Sequence, residues 1–224
     1  MMPFPRGWLL ALCTVVLLAA TAKAATIFNG SFETPDIGSG FVNITMGSAT
    51  QIAGWTVVQN NVDIVHAGFG PTFAADGNQW IDLNGNAGPG AIQTTVTGLV
   101  FGRSYLLSFD FSNFPLPPFD DPKPFDVSVD GITQSFLTLG GGPQVWLPGS
   151  LQFVAGASSA TLTVTSTYSA NPLSGAFVDN FTIVEIPEPA TFVVMCFGLA
   201  VIACRRSVRA HGPVKCTGCK TTCN

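Results

Sequence analysis

Between residues 25 and 185 apolar side chains recur at every second position in short runs, and helical spacing is almost absent. Such alternation marks strands with one buried face. Tyr105, Leu107, Phe109 and Phe111 alternate with Leu106, Ser108, Asp110 and Ser112, and Phe125, Val127 and Val129 alternate with Asp126 and Ser128. Asp130-Gly131 follows, a pair that tolerates positive φ at both positions, so a type I′ hairpin returning through Ile132 to Leu137 is predicted. Leu162 and Val164 alternate with threonines over 160–167, and 177–184 supplies the closing strand. Further strands are predicted over 26–33, 54–58, 62–66, 79–83 and 91–97. Many short strands separated by Gly, Pro and Asn turns predict an all-β fold, an antiparallel β-sandwich of jelly-roll type. Residues 113–124 hold five prolines and two adjacent acids and read as a long loop at one end of the sandwich.

The two ends have a different pattern. Arg6, an apolar stretch from Trp8 to Ala20 and then Ala22-Lys23-Ala24 read as a secretory signal peptide over 1–24, with an A-x-A cleavage site at Ala22 and Ala24. Near the other end come Pro187-Glu188-Pro189, an apolar run over 190–204, and Arg205-Arg206. This order resembles the PEP-CTERM sorting signal of exported bacterial proteins, here spanning 186–206. As a helix the apolar run is about 22 Å long, against about 30 Å of bilayer core. A short hydrophobic helix of that length suits a transient transmembrane anchor better than a permanent one. Five basic residues follow it, as a cytoplasmic tail requires. The resemblance implies recognition and cleavage by a membrane exosortase-like enzyme, and a destination on the cell surface or in the extracellular matrix. The remaining segment, 207–224, is a basic tail in which Cys216, Cys219 and Cys223 have only His211 as an evident fourth partner for zinc. Members of the resembled class commonly end soon after the arginines, so an incidental tail is the favoured reading.

The body, 25–185, is one domain's worth of chain. From residue 25 to Glu188 there are 13 acids and two bases, Arg103 and Lys123. Such a surface excludes nucleic acid as a partner, because phosphates require basic side chains. All six cysteines lie outside the body, which must fold by packing alone.

Four further motifs occur in order: Asn29-Gly30-Ser31-Phe32-Glu33, Ile52-Ala53-Gly54-Trp55, Gly77-Asn78-Gln79-Trp80-Ile81-Asp82-Leu83 and Phe177-Val178-Asp179-Asn180-Phe181. Together they resemble the galactose-binding-like, choice-of-anchor class, related in pattern to carbohydrate-binding modules. The resemblance implies a jelly-roll sandwich and a glycan- or wall-associated role.

Asp179 shares strand parity with Phe177, Phe181 and Ile183, which predicts a carboxylate on the core-facing side. A buried charge needs a partner. The resemblance implies a structural calcium where the first and last strands meet, held by Glu33 and Asp179. The other reading is that Asp179 accepts backbone N–H groups near a strand end. Asp82 to Gln93 fails as an EF-hand loop, with Ala87 and Gln93 at the positions that need Gly and Glu, so a turn is expected.

A sugar site needs an aromatic platform beside amides and carboxylates. Trp146 and Trp80, with Asp76 and Asn78, are the candidates, and Trp55 reads as core. Catalysis has little to stand on: His66 is the body's one histidine, and no G-x-S-x-G elbow is present. The expectation is a non-enzymatic, exported module that binds extracellular polysaccharide. A structural or adhesion protein of the matrix is the alternative, and a secreted glycoside hydrolase is the most distant one.

Overall fold

The computed structural model describes residues 24–47 and 51–187. The expected signal peptide up to Lys23, the expected sorting segment from Glu188 with the hydrophobic helix predicted for it, and the cysteine-bearing tail lie outside the described residues.

Thirteen strands follow one another along the described chain. In order they are β1 (Phe41–Thr45), β2 (Trp55–Gln59), β3 (Asn61–His66), β4 (Gln79–Asp82), β5 (Asn84–Gly85), β6 (Gly88–Pro89) and β7 (Ala91–Thr97). They continue with β8 (Ser104–Ser112), β9 (Pro124–Val129), β10 (Ile132–Leu137), β11 (Leu147–Val154), β12 (Ser159–Ser166) and β13 (Phe177–Glu185). A six-stranded sheet has the order β1-β3-β4-β13-β8-β11 and faces a five-stranded sheet of order β10-β9-β12-β7-β2. All the pairings are antiparallel. From β7 onward the chain alternates between the two sheets, with the β9–β10 hairpin counted as one visit. That winding makes the sandwich jelly-roll-like.

The predicted alternation holds where it is strongest. Leu107, Phe109 and Phe111 of β8, Phe125, Val127 and Val129 of β9, and Leu162 and Val164 of β12 all enter one core between the sheets. Each such side chain contributes about 1.5–3 kcal/mol by leaving water. Asp130 and Gly131 have φ of 50° and 80°, the backbone that the I′ turn demands.

Four features depart from expectation. Residues 26–33 do not form a strand: Thr26 makes one bridge to Thr97, and Asn29 and Phe32 have positive φ, which breaks the pleat. β11 is not among the predicted strands because Pro148 and Gly149 mask its pattern. It lies at the edge of its sheet, where a proline costs no ladder bond. β1, the opposite edge, is not predicted either, its five residues alternating only weakly.

The fourth departure concerns Asp179. The β13–β8 register shifts between Asp179 and Thr182, and Asn180 has φ of 55°. This bulge adds one residue and reverses the alternation. Phe181 and Ile183 enter the core, whereas Phe177 packs with Val65 and Trp80 on the outer face of the six-stranded sheet. Asp179 stays on the side of Phe177, so its expected core-facing position is corrected to the outer face.

Candidate functional site

The four sequence motifs converge in space, and they serve as scaffold. Asn29 accepts the Thr34 N–H at 3.1 Å and donates to the carbonyls of Thr34 and Ala53 at 2.9 and 3.0 Å. Its own carbonyl accepts the Trp55 indole N–H at 3.1 Å. Phe32, Trp55 and Phe181 form a triangle of rings with centroids 5.1–6.0 Å apart. Glu33 Oε1 accepts the N–H groups of Asn78 and Gln79, both at 2.8 Å. Gly77, at φ 67°, permits that approach, since a Cβ there would stand 2.5 Å from the Glu33 carboxyl.

Asp179 is fully buried and accepts three backbone N–H groups: Ala75 and Asp76 on Oδ2 at 2.9 and 3.0 Å, and Asn180 on Oδ1 at 2.7 Å. Glu33 and Asp179 therefore clamp the same loop, residues 75–79, through N–H donors. Calcium seeks six to eight oxygens, and donors pointing their hydrogens at both carboxylates do not fit that demand. Among the described residues no three His, Cys, Asp or Glu side chains gather as a metal site. Burial pushes the Asp179 carboxyl up to about 8 despite its three N–H partners.

Of the sugar-site candidates, Trp80 and Trp146 do meet, edge to face with centroids 6.4 Å apart. Trp80 is fully buried, so it cannot serve as a platform for a ligand arriving from solvent. Trp146 is half-buried and donates its indole N–H to the Phe73 carbonyl at 3.0 Å. Asp76 and Asn78 are exposed on the clamped loop, with Asp76 accepting the Ser31 hydroxyl at 2.7 Å. His66 is half-buried, with Nδ1 on the Ala67 carbonyl and Nε2 3.9 Å from Asp36.

The structure brings together a different set. On the outer face of the six-stranded sheet a cleft of about 260 Å³ opens between loops. A series of phenyl rings walls it: Phe41 meets Phe69 at 5.1 Å, Phe69 meets Phe114 at 6.5 Å, and Phe114 meets Phe119 and Phe177 at 6.0 and 6.3 Å. Phe41 and Phe69 are 45% and 39% exposed, so the rim is open to solvent. Asp63 and Asp82 line the same cleft with Asn86 and Ser174. The register explains how they meet, because Asn43, Asp63, Asp82, Phe177 and Ser112 form one row across five adjacent strands.

Burial raises both carboxyls. Asp82 is pushed well above the usual carboxylate range, partly offset by N–H bonds from Asn84 and Gly175, and the charge of Asp63 adds to the rise. Asp63 is also raised by burial, against a hydrogen bond from Asn43.

The loop that carries Phe114 and Phe119 is anchored by Lys123, which is completely buried. Its ammonium donates to Asn113 Oδ1 at 2.7 Å, to the Phe119 carbonyl, and to the Asp121 carbonyl at 3.2 Å. It lies 3.5 Å from the Asp121 carboxylate and 5.3 Å from the centre of the Tyr168 ring. Asp121 in turn accepts the Tyr168 hydroxyl. The sequence signal for this cleft was the placement of Phe69 between two glycines and of Phe114 and Phe119 in a proline-rich loop, where rings have no strand to bury them.

Residues 25–184 match the family described as "Protein of unknown function (DUF642)". The chain belongs to the DUF642 family. This DUF642 chain is 31% identical over 164 residues to halomucin of Haloquadratum walsbyi. That match takes in 72% of the chain but only 2% of halomucin's length. Among solved structures it is similar to TmCBM61 in complex with β-1,4-galactotriose (TM-score 0.45, 15% identity, 70% of this chain and 96% of that one). It is also similar to the CBM22-1 xylan-binding domain of Paenibacillus barcinonensis Xyn10C (TM-score 0.39, 17% identity, 75% and 97%).

Proposed function

We propose that this DUF642 domain is a non-catalytic module that holds polysaccharide in the cleft of Phe41, Phe69, Phe114, Asp63 and Asp82, at the cell surface or in the extracellular matrix. The observation that carries this reading is the solvent-open wall of phenyl rings standing over two carboxylates. Sugars stack their C–H faces on rings and hydrogen-bond through hydroxyls, and the cleft supplies both kinds of partner. Export rests on the leader expected to end at Ala24, and sorting by an exosortase-like enzyme rests on the sequence of segment 186–206, whose apolar run is expected to form a transient membrane helix.

The same cleft argues for binding over cleavage. Carboxylates that hydrolyse a glycoside flank the scissile bond. Asp63 and Asp82 instead rise side by side from neighbouring strands, on one face of one sheet.

Glycan-array binding of the purified full-length chain tests the reading, with Phe41→Ala and Phe69→Ala as partners. Binding to a defined sugar class is expected, weakened about tenfold by loss of a ring contact worth about 1 kcal/mol or somewhat more. A folded chain that binds no glycan would instead leave a structural matrix or adhesion role, for which the surplus of 13 acids over two bases between residue 25 and Glu188 is the supporting feature.

A further inference from the structure

We propose that the cleft selects a protonated amine carried on a sugar ring, that is, an amino-sugar residue of a glycan. This rests on the polysaccharide-binding reading and names its ligand class.

Asp63 and Asp82 are directly opposed across the β3–β4 ladder, and both line the cleft. Two charges in that relation would repel, the more so in an apolar setting, with each residue less than a tenth exposed. The protein satisfies only one oxygen of each. Asp63 Oδ1 accepts the Asn43 amide at 2.6 Å. Asp82 Oδ1 accepts the N–H groups of Asn84 and Gly175 at 2.9 and 2.6 Å. Both Oδ2 atoms are without a hydrogen-bond donor among the described residues, and neither carboxylate has an ion-pair partner there. Lys123, the buried cation of this region, is held by Asn113, Phe119 and Asp121. A third polar group waits at the same place: Ser174 is 4% exposed, lines the cleft, and its hydroxyl has no partner.

An arriving positive charge would let both carboxylates carry their charge side by side and would take up the two free oxygens. The walls decide which cation. A hard metal ion needs six or more oxygens or keeps its water, and five phenyl rings around the carboxylates offer neither. An ammonium group suits both parts, since it donates three hydrogen bonds and is attracted by ring faces within about 6 Å. The remaining ring surface then stacks on the apolar face of the sugar. At about 260 Å³ the cleft falls just below the usual range for ligand sites, which suits a single residue of a chain.

The test is calorimetric titration of the full-length chain with a glucosamine oligomer, its N-acetylated counterpart and Nα-acetyl-lysine amide. The free-amine oligomer is expected to bind at least tenfold more tightly than the acetylated one. Asp63→Asn and Asp82→Asn are each expected to remove at least tenfold of that affinity. Ser174→Ala, which removes the unpartnered hydroxyl at the same place, is expected to lower the preference for the free amine if either carboxylate variant fails to fold. Equal affinity for the acetylated oligomer would overturn the inference while leaving polysaccharide binding intact. Free-amine binding that survives both Asp→Asn variants would reduce it to attraction by the acidic surface and likewise overturn it. Comparable binding of the lysine amide would move the amine from sugar to protein and overturn the sugar assignment. Silence toward both oligomers would overturn the inference, and the glycan array then decides the polysaccharide reading separately.

Discussion

Asp179 and Phe181 stand two positions apart on β13, yet their side chains occupy opposite faces of the sheet. Regular pleating would put them on one face. The bulge at Asn180 intervenes, so Phe181 stacks in the core on Phe109 at 5.1 Å while Asp179 turns outward under the loop at Ala75 and Asp76. The consequence is a buried carboxylate held by backbone N–H groups instead of a counter-ion.

That burial makes stability depend on pH. The Asp179 carboxyl has its pKa raised from 3.8 to about 8, chiefly by loss of water. The folded state therefore keeps a proton that the unfolded chain has released. Stability from this group is fully present below pH 3.8 and is lost as pH rises through about 8. Asp82 shifts in the same direction. Urea midpoints should fall between pH 5 and pH 9, and Asp179→Asn should flatten part of that decline. A midpoint rising over that range contradicts the assignment.

Gly30 meets the bulge from the other side. Its carbonyl accepts the Phe181 N–H at 2.9 Å, and a Cβ at Gly30 would lie 2.1 Å from the Phe181 carbonyl oxygen. Neither backbone can yield without breaking the contact. Gly30→Ala is expected to cost about 1–3 kcal/mol, as forced overpacking does. Chemical denaturation checks it, and an unchanged midpoint would show that the opening segment is not seated against β13.

Lys123 is expected to control the proline-rich loop. Lys123→Met keeps an apolar stem but deletes an ammonium bound to Asn113, Phe119 and Asp121. Hydrogen bonds to a charged group are worth about 1.5–3 kcal/mol, so destabilisation of that order should appear in urea. The freed loop carries Phe114 and Phe119, so limited proteolysis within residues 113–123 should accelerate and glycan binding should weaken.

The N–H clamps at Glu33 and Asp179 make a further outcome specific. Melting the chain with excess calcium and again with chelator should give the same Tm. A rise with calcium that saturates would indicate an ion bound to the native state, and the donor assignment at those two carboxylates would have to be redrawn.

Much of the sandwich was written in local pattern. β7 coincides with its predicted span, and β8, β9, β10, β12 and β13 lie within a residue or two of theirs, because alternation and turn chemistry are local properties. The four ordered motifs were also legible, although as a family resemblance. Their importance is structural: Asn29, Glu33, Trp55 and Asp179 tie the opening segment, the 75–79 loop and the closing strand together. Their role as scaffold could not be read from order alone.

The cleft belongs to tertiary structure. Asp63 and Asp82 are separated by a loop and a turn, and only the β3–β4 register sets them opposite each other. Phe41, Phe69, Phe114 and Phe119 come from a strand edge and two loops, whose positions follow from packing and from the Lys123 anchor. The side that Asp179 faces depended on a single extra residue in its strand. A period-two pattern determines which residues alternate, while a bulge or a register, set by contacts distant in sequence, decides which face each one finally takes.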